Sequence, residues 1–266
     1  RVREELLRLL LAGQSEKMLL YLDDSGLLTA IFPEMAAAKG VEQPAEHFWT
    51  VFDHSLRTLV AVDFLLRQGT WLHTTEKILD SVAWSRELAQ YFNQEVSYGS
   101  TRRSLIKLAA LLHDVAKPQT KVTDDSGRMR FLGHPRQGAA IVTDILTRLR
   151  FSIREMRLIE TLVAFHLRPT QLTQDTLPTN RAVYRYFRDT GDAAIDVLFL
   201  NLADHLATRG PDLIPANWHE HTQLVDYLLS RHFQEDKVTH PPKLVDGHDL
   251  IRSFKMKPGP AMGEVI

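Results

Sequence analysis

His113 and Asp114 close the apolar run Leu108-Ala109-Ala110-Leu111-Leu112 and lead into Val115-Ala116-Lys117-Pro118. A buried helix rarely ends in an imidazole and a carboxylate with nothing to bind, so the pair reads as the centre of a metal site. Partners of the same chemistry sit within or at the ends of other predicted helices: His54, His134 before Pro135, His166 beside Arg168-Pro169, and Asp204 on an otherwise apolar helix. Their separations are long, so the ligands must converge in space and not along one helix. Imidazole and carboxylate donors suit one or two divalent ions among Mn, Fe, Co, Ni, Zn and Mg, and one carboxylate can bridge two ions. Such ions clamp a phosphoryl group, lower the pKa of a water and stabilise a leaving oxygen, which is the chemistry of phosphate-ester hydrolysis. The substrate expected is a phosphate ester or nucleotide.

Supporting roles follow from charge and position. Asp204 is a carboxylate in an apolar run and needs a cation or hydrogen-bond donors to stay ionised. Lys117 and Arg168 are candidates to hold non-bridging phosphate oxygens, as a point charge and as a fork of donors. His47 is a candidate to orient a leaving group or support a ligand, against a plainer role as a half-buried structural histidine. His205 should point away from Asp204 on its helix. His73, His219, His221, His232, His240 and His248 have no motif around them and read as surface residues.

Helices must carry these groups. Apolar spacing predicts amphipathic helices over residues 2–12, 15–22, 46–68, 74–94 and 102–114. His47 and His54, seven apart, would share a face of the third. Residues 97–100 read as a linker. Alternation about Asp124-Asp125-Ser126-Gly127 predicts one β-hairpin near 119–132, the only strand pair expected. His134-Pro135 starts a helix to about residue 150, and Ser152-x-x-Glu155 is a capping box for a helix reaching 165–166. Further helices are expected over 179–189, from Asp192 through Asp204, and over 215–234. Architecture is therefore almost all α.

At 266 residues, with 44% apolar and 24% charged residues and a net charge of −1, the chain is an ordinary globular protein. Binding of a polyanion through overall charge is excluded, leaving only a local basic face. The absence of cysteine removes disulfides, thiolate metal sites and cysteine nucleophiles, and fits cytoplasmic residence. The early run Leu9-Leu10-Leu11-Ala12 is too short for a signal or a membrane span, so no membrane partner is expected. Oligomeric state is left open.

The ordered set His54, His113-Asp114, Asp204 resembles the HD phosphohydrolase superfamily, and His134 and His166 resemble the extra histidines of its dinuclear members. More closely, Leu111-Leu112-His113-Asp114-Val115-Ala116-Lys117-Pro118, Phe131-Leu132-Gly133-His134-Pro135 and Asn201-Leu202-Ala203-Asp204 resemble the HD region of bacterial tRNA nucleotidyltransferases and poly(A) polymerase-like enzymes. The segment Leu27-Leu28-Thr29-Ala30-Ile31-Phe32-Pro33-Glu34 and the Gly247-x-Asp249-Leu250 and Pro258-Gly259-Pro260 motifs match as well. The resemblance implies an all-α, HD-type helical bundle. It divides the chain into a neck-like helical segment (1–45), an HD domain (46–235) and a C-terminal extension that reads as cut short (236–266). It also implies metal-dependent hydrolysis of phosphomonoesters, 2′,3′-cyclic phosphates or RNA ends. The family's nucleotide-adding head carries a Gly-Ser stretch followed by paired acids, whereas Gly99-Ser100 is followed here by Thr101-Arg102-Arg103. Nucleotide addition by this chain alone is not expected. The alternative is a non-catalytic body that positions tRNA for such a head.

One stretch is basic: residues 148–188 hold eight arginines against three acids, with Tyr184, Tyr186 and Phe187 interleaved. Arginine with aromatics suits an RNA backbone and unpaired bases, with Arg181, Tyr184, Arg185 and Arg188 as the candidate contacts. Against this, Val183, Tyr184 and Phe187 also lie at core spacing.

Overall fold

A computed structural model describes residues 1–172, 177–239 and 252. It shows an almost all-α chain with two small antiparallel hairpins. Helices α1 (Val2–Leu11), α2 (Ser15–Asp24) and α3 (Leu27–Ile31) precede a 3-10 segment at Pro33–Ala38 and the long α4 (Val51–Leu65). A second 3-10 segment, Glu76–Ser81, and α5 (Arg86–Phe92) lead into strands β1 (Glu95–Ser97) and β2 (Ser100–Thr101). Then come α6 (Arg102–Leu112), the short α7 (Lys117–Thr120), the hairpin β3 (Lys121–Thr123) and β4 (Met129–Phe131), α8 (His134–Arg148) and α9 (Ile153–Phe165). The series closes with α10 (Asn180–Thr190), α11 (Ala194–Arg209) and α12 (Pro215–Thr239). The chain forms two compact units, Arg1–Asp226 and Tyr227–Ile266, and every candidate site residue lies in the first.

Helix α6 is the axis of that unit. Thr101 and Ser104 cap it reciprocally, and each of its residues but Arg103 is buried, against α1, α4, α5, α9 and α11. A helix buried on nearly every side lies inside a bundle, and its buried polar groups need partners there. Its one interior ammonium, Lys107, pairs with Asp63 and donates to Ser15 Oγ at 2.9 Å. Helix α11 is buried almost as completely. Its Asp196 accepts from the Tyr91 hydroxyl at 2.5 Å and pairs with Arg102. Burial, opposed by Arg102, raises that carboxyl to about 6.

Three local expectations are corrected. The helix expected over 46–68 starts only at Val51. Thr50 caps it, and Phe48 N donates to Thr208 O while Val51 N donates to Val41 O (2.9 Å each), which ties residues 46–50 to other segments and leaves His47 on a loop. The helix expected over 74–94 is broken: Arg67 takes the carbonyls of Leu79 and Val82 at 3.2 and 3.3 Å, and Ser85 caps a new helix by accepting from Leu88 N. Residues 97–100, read as a linker, form the turn of a second hairpin about Gly99, whose φ of 76° suits glycine. The hairpin expected near 119–132 pairs Lys121–Thr123 with Met129–Phe131, its turn held by Asp124 Oδ1 accepting from Ser126 N and Arg128 N. Among the described residues no helix is long and apolar enough to cross a membrane. His240, His248 and the Gly247 and Pro258 motifs lie outside the described residues.

Candidate metal centre

Six side chains from five places in the chain meet in the interior: His54 from α4, His113 and Asp114 at the end of α6, His134 at the start of α8, His166 at the end of α9, and Asp204 from α11. All are buried, with Asp204 the most accessible at 9%. His54 Nε2 stands 3.0 Å from Asp204 Oδ1 and 3.2 Å from His113 Nε2. Asp114 sits between two sets. Its Oδ2 lies 3.1 Å from His113 Nε2 and 3.4 Å from His54 Nε2, while its Oδ1 lies 3.3 Å from His134 Nε2 and 3.9 Å from His166 Nε2.

The local backbone sets the imidazoles. His113 and His166 are the C-caps of α6 and α9, where the last carbonyls lack helical partners. Each donates Nδ1–H to the carbonyl three residues earlier, Ala110 O at 2.8 Å and Val163 O at 2.7 Å. His134 does the same to Phe131 O at 2.8 Å. One bond thus satisfies a carbonyl, orients the ring and turns Nε2 towards Asp114.

Polar atoms here lack partners. His134 Nε2, His166 Nε2 and both Asp114 oxygens are buried and make no hydrogen bond of ordinary geometry, a cost that a bound cation would remove. Two compact donor groups stand out, His54–His113–Asp204 and His113–Asp114–His166, each with its donor atoms within 4.8 Å of one another. Burial alone would depress His113, but Asp114 and Asp204 hold its imidazolium up, to about 10. Burial alone would raise both carboxyls; the His113 charge, with Lys117 at Asp114 and His54 at Asp204, keeps them well below the usual range. Burial lowers His54, and lowers His166 to about 3, leaving both neutral. A pocket that keeps two carboxylates ionised beside the neutral imidazoles of His54 and His166 fits a divalent cation, which would take the place of the proton on His113.

The other predicted residues divide. Lys117 Nζ reaches the cluster, 2.7 Å from Asp114 Oδ2, and is also bound by Gln43 Oε1 at 2.6 Å. His47, although on a loop, stacks on His54 with 5.5 Å between centroids and 2° between planes, and its Nε2 lies 3.4 Å from Lys117 Nζ. Burial lowers its imidazole to about 3. Arg168 turns to Asp189 at 3.8 Å, and no contact joins it to the six among the described residues. His205 does point away, stacking on His221 at 4.5 Å; His221, expected at the surface, is buried. Arg181, Tyr184, Arg185 and Arg188 are all exposed on α10. Tyr184 is 64% exposed, so it does not occupy the core position its spacing also allowed; Val183 and Tyr186 do.

Three supporting residues escape sequence reasoning. Gln43 holds Lys117, Thr58 donates to the His54 carbonyl at 2.8 Å, and Asn201 donates to the His166 carbonyl at 2.7 Å. Thr58 and Asn201 carry a faint signal, polar groups four residues after His54 and three before Asp204 on buried helices. Gln43 carries none.

Comparison with known proteins agrees with this geometry. Residues 74–209 match the family described as HD domain, a span that contains every cluster residue except His54. Residues 1–39 match the family described as probable RNA and SrmB-binding site of polymerase A. The whole chain is 30% identical to 52% of an A-adding tRNA nucleotidyltransferase of Deinococcus radiodurans, and 32% identical to 50% of a CC-adding tRNA nucleotidyltransferase of Thermus thermophilus. The chain spans about half the length of these curated relatives.

Proposed function

This chain belongs to the HD domain family, and we propose that its buried cluster binds one or two divalent ions and hydrolyses phosphate esters: phosphomonoesters, or the phosphodiesters of 2′,3′-cyclic nucleotides and RNA ends. The observation that carries this reading is Asp114, whose two oxygens face two different sets of imidazoles, with Lys117 pairing to Oδ2. His54, His113, Asp204 and Asp114 Oδ2 form one set of donors; His134, His166 and Asp114 Oδ1 form the other. A divalent cation bound there supplies Lewis acidity towards a phosphoryl oxygen and towards an attacking water. Lys117, held by Gln43 and Asp114, keeps a positive charge beside the cluster, where it suits a non-bridging phosphate oxygen. His47, left neutral by burial, packs on His54 and lies beside Lys117. Arg168 would have to leave Asp189 to serve a substrate.

The test is hydrolysis of bis-p-nitrophenyl phosphate and 2′,3′-cyclic AMP with Ni, Mn, Co and Mg supplied separately. Metal-dependent turnover lost in His113→Ala and Asp114→Ala supports the reading; activity unchanged in both variants overturns it.

A second reading, that the chain is a tRNA-binding body within a nucleotide-adding enzyme, is favoured by the match over residues 1–39 and by the exposed Arg181, Tyr184, Arg185 and Arg188. Both functions fit one polypeptide, and neither involves nucleotide addition by this chain alone. Gel retardation of tRNA tests it: binding weakened by Arg181→Gln with Arg185→Gln supports an RNA face on α10, and no retardation by the wild type rules out the body role.

A further inference from the structure

The β1–β2 hairpin leaves the ring of Tyr98 89% exposed at its tip. The tip is fastened to the start of α9: Arg3 Nη2 donates to Tyr98 O at 3.0 Å and pairs with the buried carboxylate of Glu155. Either side of Glu155 along α9, Arg154 and Arg157 line a cleft of about 470 Å³ that also meets Gln94 and Val96 of the hairpin strand and its approach. Arg150 lines a neighbouring cleft of about 360 Å³ with Arg3 and Arg148.

Arg150, Arg154 and Arg157 are exposed, and their guanidinium groups form no ion pair or hydrogen bond among the described residues. The acids nearby are taken: Asp192 by Arg102, Glu155 by Arg3 and Glu34 by Arg148, which leaves Glu95 as the free carboxylate of the larger cleft. Arg150 is the left-handed residue (φ 60°) that ends α8, where Arg150 N and Phe151 N donate to Thr147 O and Leu146 O at 3.1 and 3.0 Å.

We propose that this face, the Tyr98 tip flanked by Arg150, Arg154 and Arg157, docks an unpaired stretch of RNA. The ring stacks on a base and the guanidinium groups hold phosphates, the combination that single-stranded nucleic acid requires. The inference rests on the RNA reading above and adds a surface distinct from the stripe on α10.

The experiment is filter binding of tRNA to the full chain across a salt series. Tyr98→Ala should weaken binding about 5- to 150-fold. Arg154→Gln with Arg157→Gln should weaken it at low salt and flatten the slope of log affinity on log salt by about 1.5. Both variants replace exposed side chains and should keep the wild-type thermal transition. Arg150→Gly should weaken binding while raising that transition, a pair of effects that misfolding does not produce. If these variants bind as the wild type does while Arg181→Gln with Arg185→Gln binds more weakly, this face is overturned and the RNA reading survives. If the wild type retains no tRNA, both fall.

Discussion

The centre depends on where single hydrogen bonds go. His113, His134 and His166 each spend Nδ1–H on a carbonyl three residues back, so Nε2 is the nitrogen turned to the cluster. Replacing His166 by alanine removes one donor and should lower Ni or Mn affinity on the order of 100-fold in calorimetric titration, by analogy with the larger supporting-group effects. Asn201 never touches the cluster, yet it holds the His166 carbonyl and Thr170 Oγ1. Asn201→Ala should cost about 1–3 kcal/mol in urea unfolding by leaving a buried carbonyl unpartnered, and should weaken metal binding about 10-fold. Unchanged metal affinity in the destabilised variant would reduce Asn201 to a structural role.

Elements set how closely the ligands approach. Helix α8 comes against the end of α6 and against α9 at Gly138, where an added Cβ would lie 3.2 Å from Val163 Cγ1 and 3.5 Å from His113 O. A larger side chain must push α8 outwards, and His134 with it. Gly138→Leu should therefore destabilise by about 1–3 kcal/mol and lower metal affinity together; the two losses are read from thermal unfolding with and without Mn. The opposite case is the end of α8. Arg150→Gly relieves a left-handed arginine and should stabilise by about 1 kcal/mol, seen as a higher Tm.

At the scale of the whole molecule, burial makes acid the weak side. His205 and His221 are stacked in the interior, and burial, with their mutual repulsion lowering His205, depresses them to about 3 and about 4. Below pH 6.5 the unfolded chain takes up protons that the folded chain refuses, so their contribution is intact above pH 6.5 and is lost as pH falls towards 4. Each costs about 1.4 kcal/mol per pH unit in that window. Asp196 acts in the opposite sense: raised to about 6, it binds a proton in the folded state first and adds stability as pH falls from 6 towards 4. The difference between wild type and His221→Phe isolates one histidine. It should shrink by about 2 kcal/mol between pH 6.5 and 5 in urea titrations; a pH-independent difference would mean that His221 charges in the folded protein.

Residue types and short-range pattern decided a good deal by themselves. The absence of cysteine restricted any metal to imidazole and carboxylate, the Ser152–Glu155 capping box started α9, and the Asp124–Gly127 turn made the β3–β4 hairpin, because caps and turns act within a few residues. Motifs around His113, His134 and Asp204 likewise pointed to the HD family. Tertiary structure alone decided what those groups touch. His47 reached His54 from a loop, Lys117 found Gln43, Arg168 went to Asp189, and Tyr98 came beside the arginines of α9 through Arg3. Such contacts join residues far apart in the chain, and no local preference encodes them. They exist only where the helices, packed to bury their apolar faces, bring distant segments within a few ångströms.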